Sequence, residues 1–145
     1  MKRLSWIFLL LGLAAVSGCA DMSTAEKERK LKEAQMVMPQ NYKADLLAFM
    51  RTYLNAPDNV REAGITEPRR LWVIDTERYA VCLRYNAKDS SGQYTGAKYR
   101  LGIFVAGKFD RLIELSGESA SLKPLRDHCA QASYQPFPEL ERLRR

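Results

Sequence analysis

The stretch Arg78-Tyr79-Ala80-Val81-Cys82-Leu83-Arg84-Tyr85-Asn86 is the most clearly patterned part of the chain. Tyr79, Val81, Leu83 and Tyr85 alternate onto one face, which is the period of a half-buried β-strand. The opposite face carries Ala80, Cys82 and Arg84, smaller but not wholly polar, so a second layer can cover it as well. Residues 98–105 repeat the alternation with Tyr99, Leu101, Ile103 and Val105. Ala106-Gly107 makes a tight turn, and residues 108–114 return with Phe109, Leu112 and Ile113. Together these segments predict an antiparallel meander. Upstream, Leu71-Trp72-Val73-Ile74 reads as a short strand before a turn at Asp75-Thr76-Glu77. Residues 60–65 read as a short edge strand limited by Gly64 and Pro68.

One helix is expected to cover this sheet. Asn41 suits an N-cap, and Tyr42, Leu46, Leu47, Met50, Tyr53 and Leu54 then fall on one side of a helix. Asn55-Ala56-Pro57 stops it. Beyond the meander, residues 115–128 are rich in Ser, Gly, Glu and Lys and are interrupted by Pro124, which predicts a loop with at most a turn or two of helix. Tyr134-Gln135-Pro136-Phe137-Pro138 reads as an extended apolar strip.

The N-terminus has the form of an export signal. Lys2 and Arg3 precede an apolar run over residues 4–16. That run suits a signal peptide and is shorter than a membrane-spanning helix, which needs about 20 residues. An uncleaved anchor and an ordinary secretory signal are the two plainer readings. However, Val16-Ser17-Gly18-Cys19 resembles the bacterial lipobox, a likeness that covers residues 1–19. The resemblance implies cleavage before Cys19, a diacylglyceryl thioether on its sulfur and a third acyl chain, such as palmitate, on its new amino group. Two or more chains anchor stably, at about 0.8 kcal/mol per buried methylene. In lipoproteins of this kind, Asp directly after the lipidated Cys retains the chain in the inner membrane. Here Ala20 holds that position and Asp21 comes next. The resemblance therefore points to the periplasmic face of the outer membrane, with the inner membrane as the alternative. Residues 79–86 and 134–140 also resemble segments of small alphaproteobacterial lipoproteins, a likeness that brings no catalytic residues with it.

With Cys19 given to lipid, Cys82 and Cys129 remain. An even pair in an oxidising compartment predicts a disulfide, the alternative being two buried free thiols. Closing so long a loop is worth about 4 kcal/mol on the chain-entropy view. The expected fold is thus α+β: one amphipathic helix on a small antiparallel sheet of three to five strands, with a C-terminal extended strip fastened by the disulfide. The expected organisation is a signal peptide over residues 1–18 and a lipidated Cys with a charged tether over 19–40. A single domain over 41–138 and a basic tail over 139–145 complete it. The tether opens with Ser23-Thr24-Ala25-Glu26, the form of a capping box. It continues with Glu26/Lys30 and Glu28/Lys32 at helical spacing, which predicts a solvated, partly formed helix or a disordered spacer ended by Pro39.

The whole chain carries a net charge of +6, which falls to +4 without Lys2 and Arg3 because residues 1–18 contain no acid. Outside the cytosol this balance excludes nucleic acid and leaves lipid head groups and envelope polymers as anionic partners. Arg69-Arg70 and the Arg142, Arg144, Arg145 cluster are the densest basic points; a plain solvated surface is the simpler account of them.

No chemical motif stands out. His128 is the single histidine and adjoins Cys129, but nucleophile and base normally meet from distant positions and this thiol is expected to be oxidised. One histidine and one cysteine pair offer no zinc spacing. Gly117-Glu118-Ser119-Ala120-Ser121 begins like a nucleophile elbow and fails at the last glycine. There is no Gly-rich phosphate loop or dinucleotide fingerprint, so no cofactor and no catalytic residue is assigned. The polar loop that follows the central strand, with Asp89, Ser90, Ser91 and Tyr94, is the candidate binding surface, since exposed loops offer adaptable polar contacts beside an aromatic ring.

Two functional readings follow. The first is a non-enzymatic, membrane-anchored envelope lipoprotein, structural or accessory to an outer-membrane or periplasmic assembly; it expects a protein partner and no pocket with convergent polar groups. The second is a periplasmic binding module that takes a peptide, a glycan or a foreign enzyme. A small hydrolase comes third and would need a cleft holding two facing carboxylates.

Overall fold

The computed structural model describes residues 23–144. The lipobox and Cys19 lie outside them. The fold is α+β, with an antiparallel six-stranded sheet and four α-helices. Helix α1 spans Thr24–Gln35 and α2 spans Tyr42–Tyr53. The strands are β1 Arg61–Ile65, β2 Arg69–Val73, β3 Thr76–Asn86, β4 Lys98–Val105 and β5 Lys108–Glu114. Helix α3 (Lys123–Gln131), strand β6 (Gln135–Pro136) and helix α4 (Pro138–Glu141) complete the chain. The sheet order is β5-β4-β3-β1-β6. The long β3 is shared on one side, pairing with β2 through its first half and with β1 through its second.

Both faces of the sheet are buried, as the pattern of β3 requires. Val81, Leu83 and Tyr85 turn toward α2, where they pack with Leu46, Met50 and Leu54. Ala80 and Cys82 turn the other way, toward Leu125 and Cys129 of α3. The apolar alternation of β4 is out of phase with this first face. Leu101 and Ile103 pair with Cys82 and Ala80 and so lie under α3, while Arg100, Gly102 and Phe104 face α2. Gly102 makes the approach of α2 close: a Cβ there would sit 3.2 Å from Leu46 Cδ2 and 3.2 Å from Val81 Cγ2.

Four segments differ from the sequence expectation. Pro124 does not interrupt a loop; it lies in the first turn of α3, where a missing N–H costs no helical hydrogen bond. The disulfide therefore fastens a helix to the second face. The strip over 134–138 crosses the sheet edge: Tyr134 packs on the α3 side, β6 pairs with β1, and Phe137 is buried on the α2 side. Strand β1 is consequently covered by β6 and is not the sheet edge. Leu140 and Leu143 join the same core, so the domain's packing extends into the C-terminal residues.

Helix α1 has no buried residue and is held by its own chemistry. Ser23 accepts a hydrogen bond from the Glu26 N–H at 3.3 Å, and Arg29–Glu33 and Lys30–Glu26 pair along its exposed side. The helix ends at Gln35, whose carbonyl accepts the Ala106 N–H at 2.9 Å. The charged tether is thus joined to the β4–β5 turn. At α2, Asn41 occupies the N-cap position without a side-chain capping bond. Among the described residues no helix is long and apolar enough to cross a membrane.

Candidate functional site

The phase of β4 creates the most distinctive polar feature. Because Gly102 and Phe104 face α2, so do Arg100 and Lys98 before them, beyond the last turn of that helix. Arg100 is nine-tenths buried there, with its side chain 10% exposed. Its cross-strand neighbour on β5 is Glu114, and Arg100 Nε donates to Glu114 Oε1 at 3.1 Å. The same oxygen accepts the Tyr53 hydroxyl from the end of α2 at 2.9 Å. Ser116 donates to the other carboxylate oxygen at 3.3 Å. The Arg100 guanidinium also lies 3.9 Å from the centre of the Tyr85 ring, a cation–π distance.

Tyr53, Tyr85, Arg100 and Glu114 line an open cleft of about 330 Å³, with Lys88, Asp89 and Lys98 at its sides. The Tyr85 side chain is buried, and its hydroxyl has no hydrogen-bond partner among the described residues. A buried, unpaired hydroxyl costs stability. Burial raises the Tyr85 hydroxyl well above the ordinary tyrosine range, so it is a neutral donor. For Glu114, burial pushes the carboxyl up, but the charge of Arg100 and the hydrogen bonds from Tyr53, Arg100 and Ser116 outweigh it and hold the group below its usual value. Glu114 is therefore a fixed carboxylate, suited to holding Arg100 and Tyr53 in place and poorly suited to donating a proton.

The loop over residues 87–96 stands at one side of this cleft, but most of its polar groups serve the loop itself. Asp89 Oδ1 accepts from the Ser91 N–H at 2.9 Å, the Ser91 hydroxyl at 2.7 Å and the Gln93 N–H at 3.0 Å. Those bonds, led by the Ser91 hydroxyl, lower the Asp89 carboxyl below the usual range. Tyr94 donates its hydroxyl to the Asn59 carbonyl at 2.9 Å and lies between Arg61 and Lys88. Ser90 is exposed. Of the four candidate residues, Asp89 alone lines the cleft. Tyr53, Tyr85, Arg100 and Glu114 were not candidates from the sequence. Their signal was the Lys-x-Arg alternation opening β4, which looks like an ordinary solvated face.

A second cleft, of about 550 Å³, lies beside the disulfide and is lined by Thr66, Glu67, Arg69, His128 and Tyr134 among others. Several of its polar groups are already committed. Thr66 Oγ1 accepts the Cys82 N–H, Tyr134 donates to the Cys129 carbonyl, and Gln135 donates to Glu67. Cys82 and Cys129 are bonded, with Cα atoms 5.5 Å apart, so Cys129 carries no thiol for His128 to activate. No group of three or more metal-ligating side chains occurs among the described residues.

The chain matches no protein-family model, no curated protein and no solved structure. Functional argument therefore rests on the site and on the sequence.

Proposed function

We propose that this chain is a non-enzymatic envelope lipoprotein, anchored through lipid on Cys19 at the periplasmic face of the outer membrane, whose domain is a binding module. The observation that carries the second part is the cleft, where the nearly buried Arg100 converges with Lys98 and Asp89 beside the Tyr85 ring. Convergent polar groups of this kind favour a binding module over a purely structural accessory. Arg100 and Lys98 line the cleft as donors, so the fitting ligand presents acceptors, as a peptide backbone or a glycan does. Glu114, with its oxygens taken by Arg100, Tyr53 and Ser116, holds the shape of the cleft. The disulfide agrees with an oxidising compartment and hence with export.

Two experiments test this reading. Cys19→Ser should release the chain from the membrane fraction, and persistence there would reject the anchor. A photo-crosslinking amino acid at Thr95, which lines the cleft, should capture a peptide or a glycan in the intact envelope, and Arg100→Gln should abolish that capture. Recovery of lipid alone would reject the binding module.

A further inference from the structure

The β2–β3 hairpin ends in two large apolar side chains that the fold leaves in water. Trp72 is 68% exposed and Ile74 is 58% exposed. Their neighbours Leu71 and Val73 point inward to the α3 side, so the alternation of β2 turns Trp72 outward. Val73 pairs with Thr76, which leaves Ile74-Asp75 as a two-residue turn. Ile74 has φ +59°, the left-handed region that such turns normally assign to glycine. For a β-branched residue this backbone is an outlier, and outliers of this kind cluster at functional positions. An isoleucine is thus held outward where glycine would be the unstrained choice.

The register shows what lies beside this tip. Trp72 is opposite Glu77 on β3, and Tyr79 is opposite Phe104 on β4. The Ala106-Gly107 turn therefore points the same way as the hairpin tip, about two strand spacings or ~10 Å across the sheet. That turn is where the tether joins the domain, through Ala106 and Gln35. Val37 packs near Gly107, and it and Met38 are also largely exposed. The segment leading to Cys19 thus reaches the domain at the end that carries Trp72 and Ile74. Arg70 and Arg78 lie near the tip with Asp75 and Glu77, and Arg70 is paired to Glu77 at 3.0 Å, so these charges balance.

We propose that the Trp72–Ile74 hairpin tip docks into the interfacial region of a lipid bilayer, so that lipid and hairpin hold the domain on the membrane together. The lipid part of this rests on the anchor proposed above. Tryptophan prefers the head-group level because its ring is apolar and its N–H is polar, and arginines beside it reach the phosphates while their stems stay in apolar surroundings. The tip faces away from the cleft: Tyr85 and Arg100 lie at the opposite ends of β3 and β4 from Glu77 and Val105. A docked tip would therefore leave the cleft facing outward.

The chain from residue 19 onward contains Trp72 as its single tryptophan, since the other is Trp6. The test uses that chain with a hexahistidine tag replacing the lipid, held on phosphatidylglycerol vesicles through a nickel-chelating lipid, so its outcome does not depend on lipidation of Cys19. Trp72 emission should shift to the blue and be quenched by doxyl-labelled lipid. Ile74→Asp, which suits the left-handed backbone and so should fold, is expected to lose the quenching. Emission that stays at its water-exposed position on the vesicles would overturn the proposal. So would quenching that Ile74→Asp leaves intact, or a crosslink from this tip to an envelope protein in place of lipid. Release of the full chain by Cys19→Ser tests the anchor separately.

Discussion

The Arg100 guanidinium stands 3.9 Å from the centre of the Tyr85 ring, and the hydroxyl of that ring is buried with no hydrogen-bond partner among the described residues. The ring and the hydroxyl therefore have separable effects. Tyr85→Phe keeps the ring under Arg100 and removes the unpaired group. Because a buried unsatisfied hydroxyl costs about 1–3 kcal/mol, the variant should match or exceed the parent chain in urea denaturation, by roughly 1 kcal/mol. Crosslinking from Thr95 should persist, because the ring stays under Arg100. A loss of stability would mean that the hydroxyl finds a partner in solution and serves the fold.

Glu114 sets a pH dependence with a definite sign. Burial raises its carboxyl, Arg100 and the donated hydrogen bonds lower it further, and the net folded value lies below the ordinary 4.5. The unfolded chain therefore takes up the proton first. The stabilisation is complete above pH 4.5 and disappears as pH falls through the depressed folded value. Denaturation midpoints of the parent chain and of Glu114→Gln should differ at neutral pH and converge in acid. Parallel curves across the whole range would show that the pairing with Arg100 adds nothing.

Much of this architecture was legible from period alone. The strand over 78–86, the meander after it and the helix from Tyr42 follow from side-chain alternation and from the 3.6-residue stripe. The Cys82–Cys129 bond followed from even cysteine number and from the oxidising compartment that the N-terminal signal leads one to expect. Two kinds of information were not local. Pro124 reads as a breaker or as a helix start depending on whether Leu125 and Cys129 find a surface, and that surface is the far side of β3. The cleft depends on the relative phase of β3 and β4. Both strands show clean apolar alternation, but pairing places the apolar set of β4 against α3, leaving Arg100 toward α2. A sheet buried on both faces permits either phase, so sequence period cannot choose between them.

The disulfide spans 47 residues and joins α3 to the centre of the sheet. Cys82→Ala with Cys129→Ala should cost about 4 kcal/mol, following the loop-closure relation. The loss should be local before it is global: amides of α3 should exchange faster with solvent than those of β3 and β4, because Leu125 and Cys129 are its only fully buried side chains. Hydrogen exchange on the reduced chain reads this directly. Uniform acceleration across the sheet would indicate instead that α3 and the sheet unfold as one unit.

Gly102 is where the approach of α2 is closest. A Cβ at this position meets Leu46 and Val81 at 3.2 Å each, both in the packed interior. Gly102→Ala should therefore destabilise by about 1–3 kcal/mol through overpacking, despite the usual benefit of removing a glycine from a strand. Gly102→Ala combined with Leu46→Ala should recover part of that loss, and the double-mutant cycle measures the coupling. Independent, additive costs would place the strain elsewhere.

Ile74 sets stability against the proposed membrane contact. Its φ of +59° is unfavourable for an L-residue with a branched β-carbon, by about 1–2 kcal/mol. Glycine relieves that strain and gives back part of the gain through a freer unfolded chain. Ile74→Gly should therefore raise stability by roughly 0.5–1 kcal/mol in urea denaturation, because the exposed side chain has little packing to lose. The same substitution removes one of the two apolar groups at the hairpin tip, so vesicle-bound chains carrying it should show weaker quenching of Trp72 by doxyl lipid. A more stable chain with weaker lipid contact is the expected pair of results. It is the trade-off that arises when a strained residue serves binding rather than folding. A variant that loses stability would show that the Ile74 side chain packs in solution, and the tip would then be a structural turn.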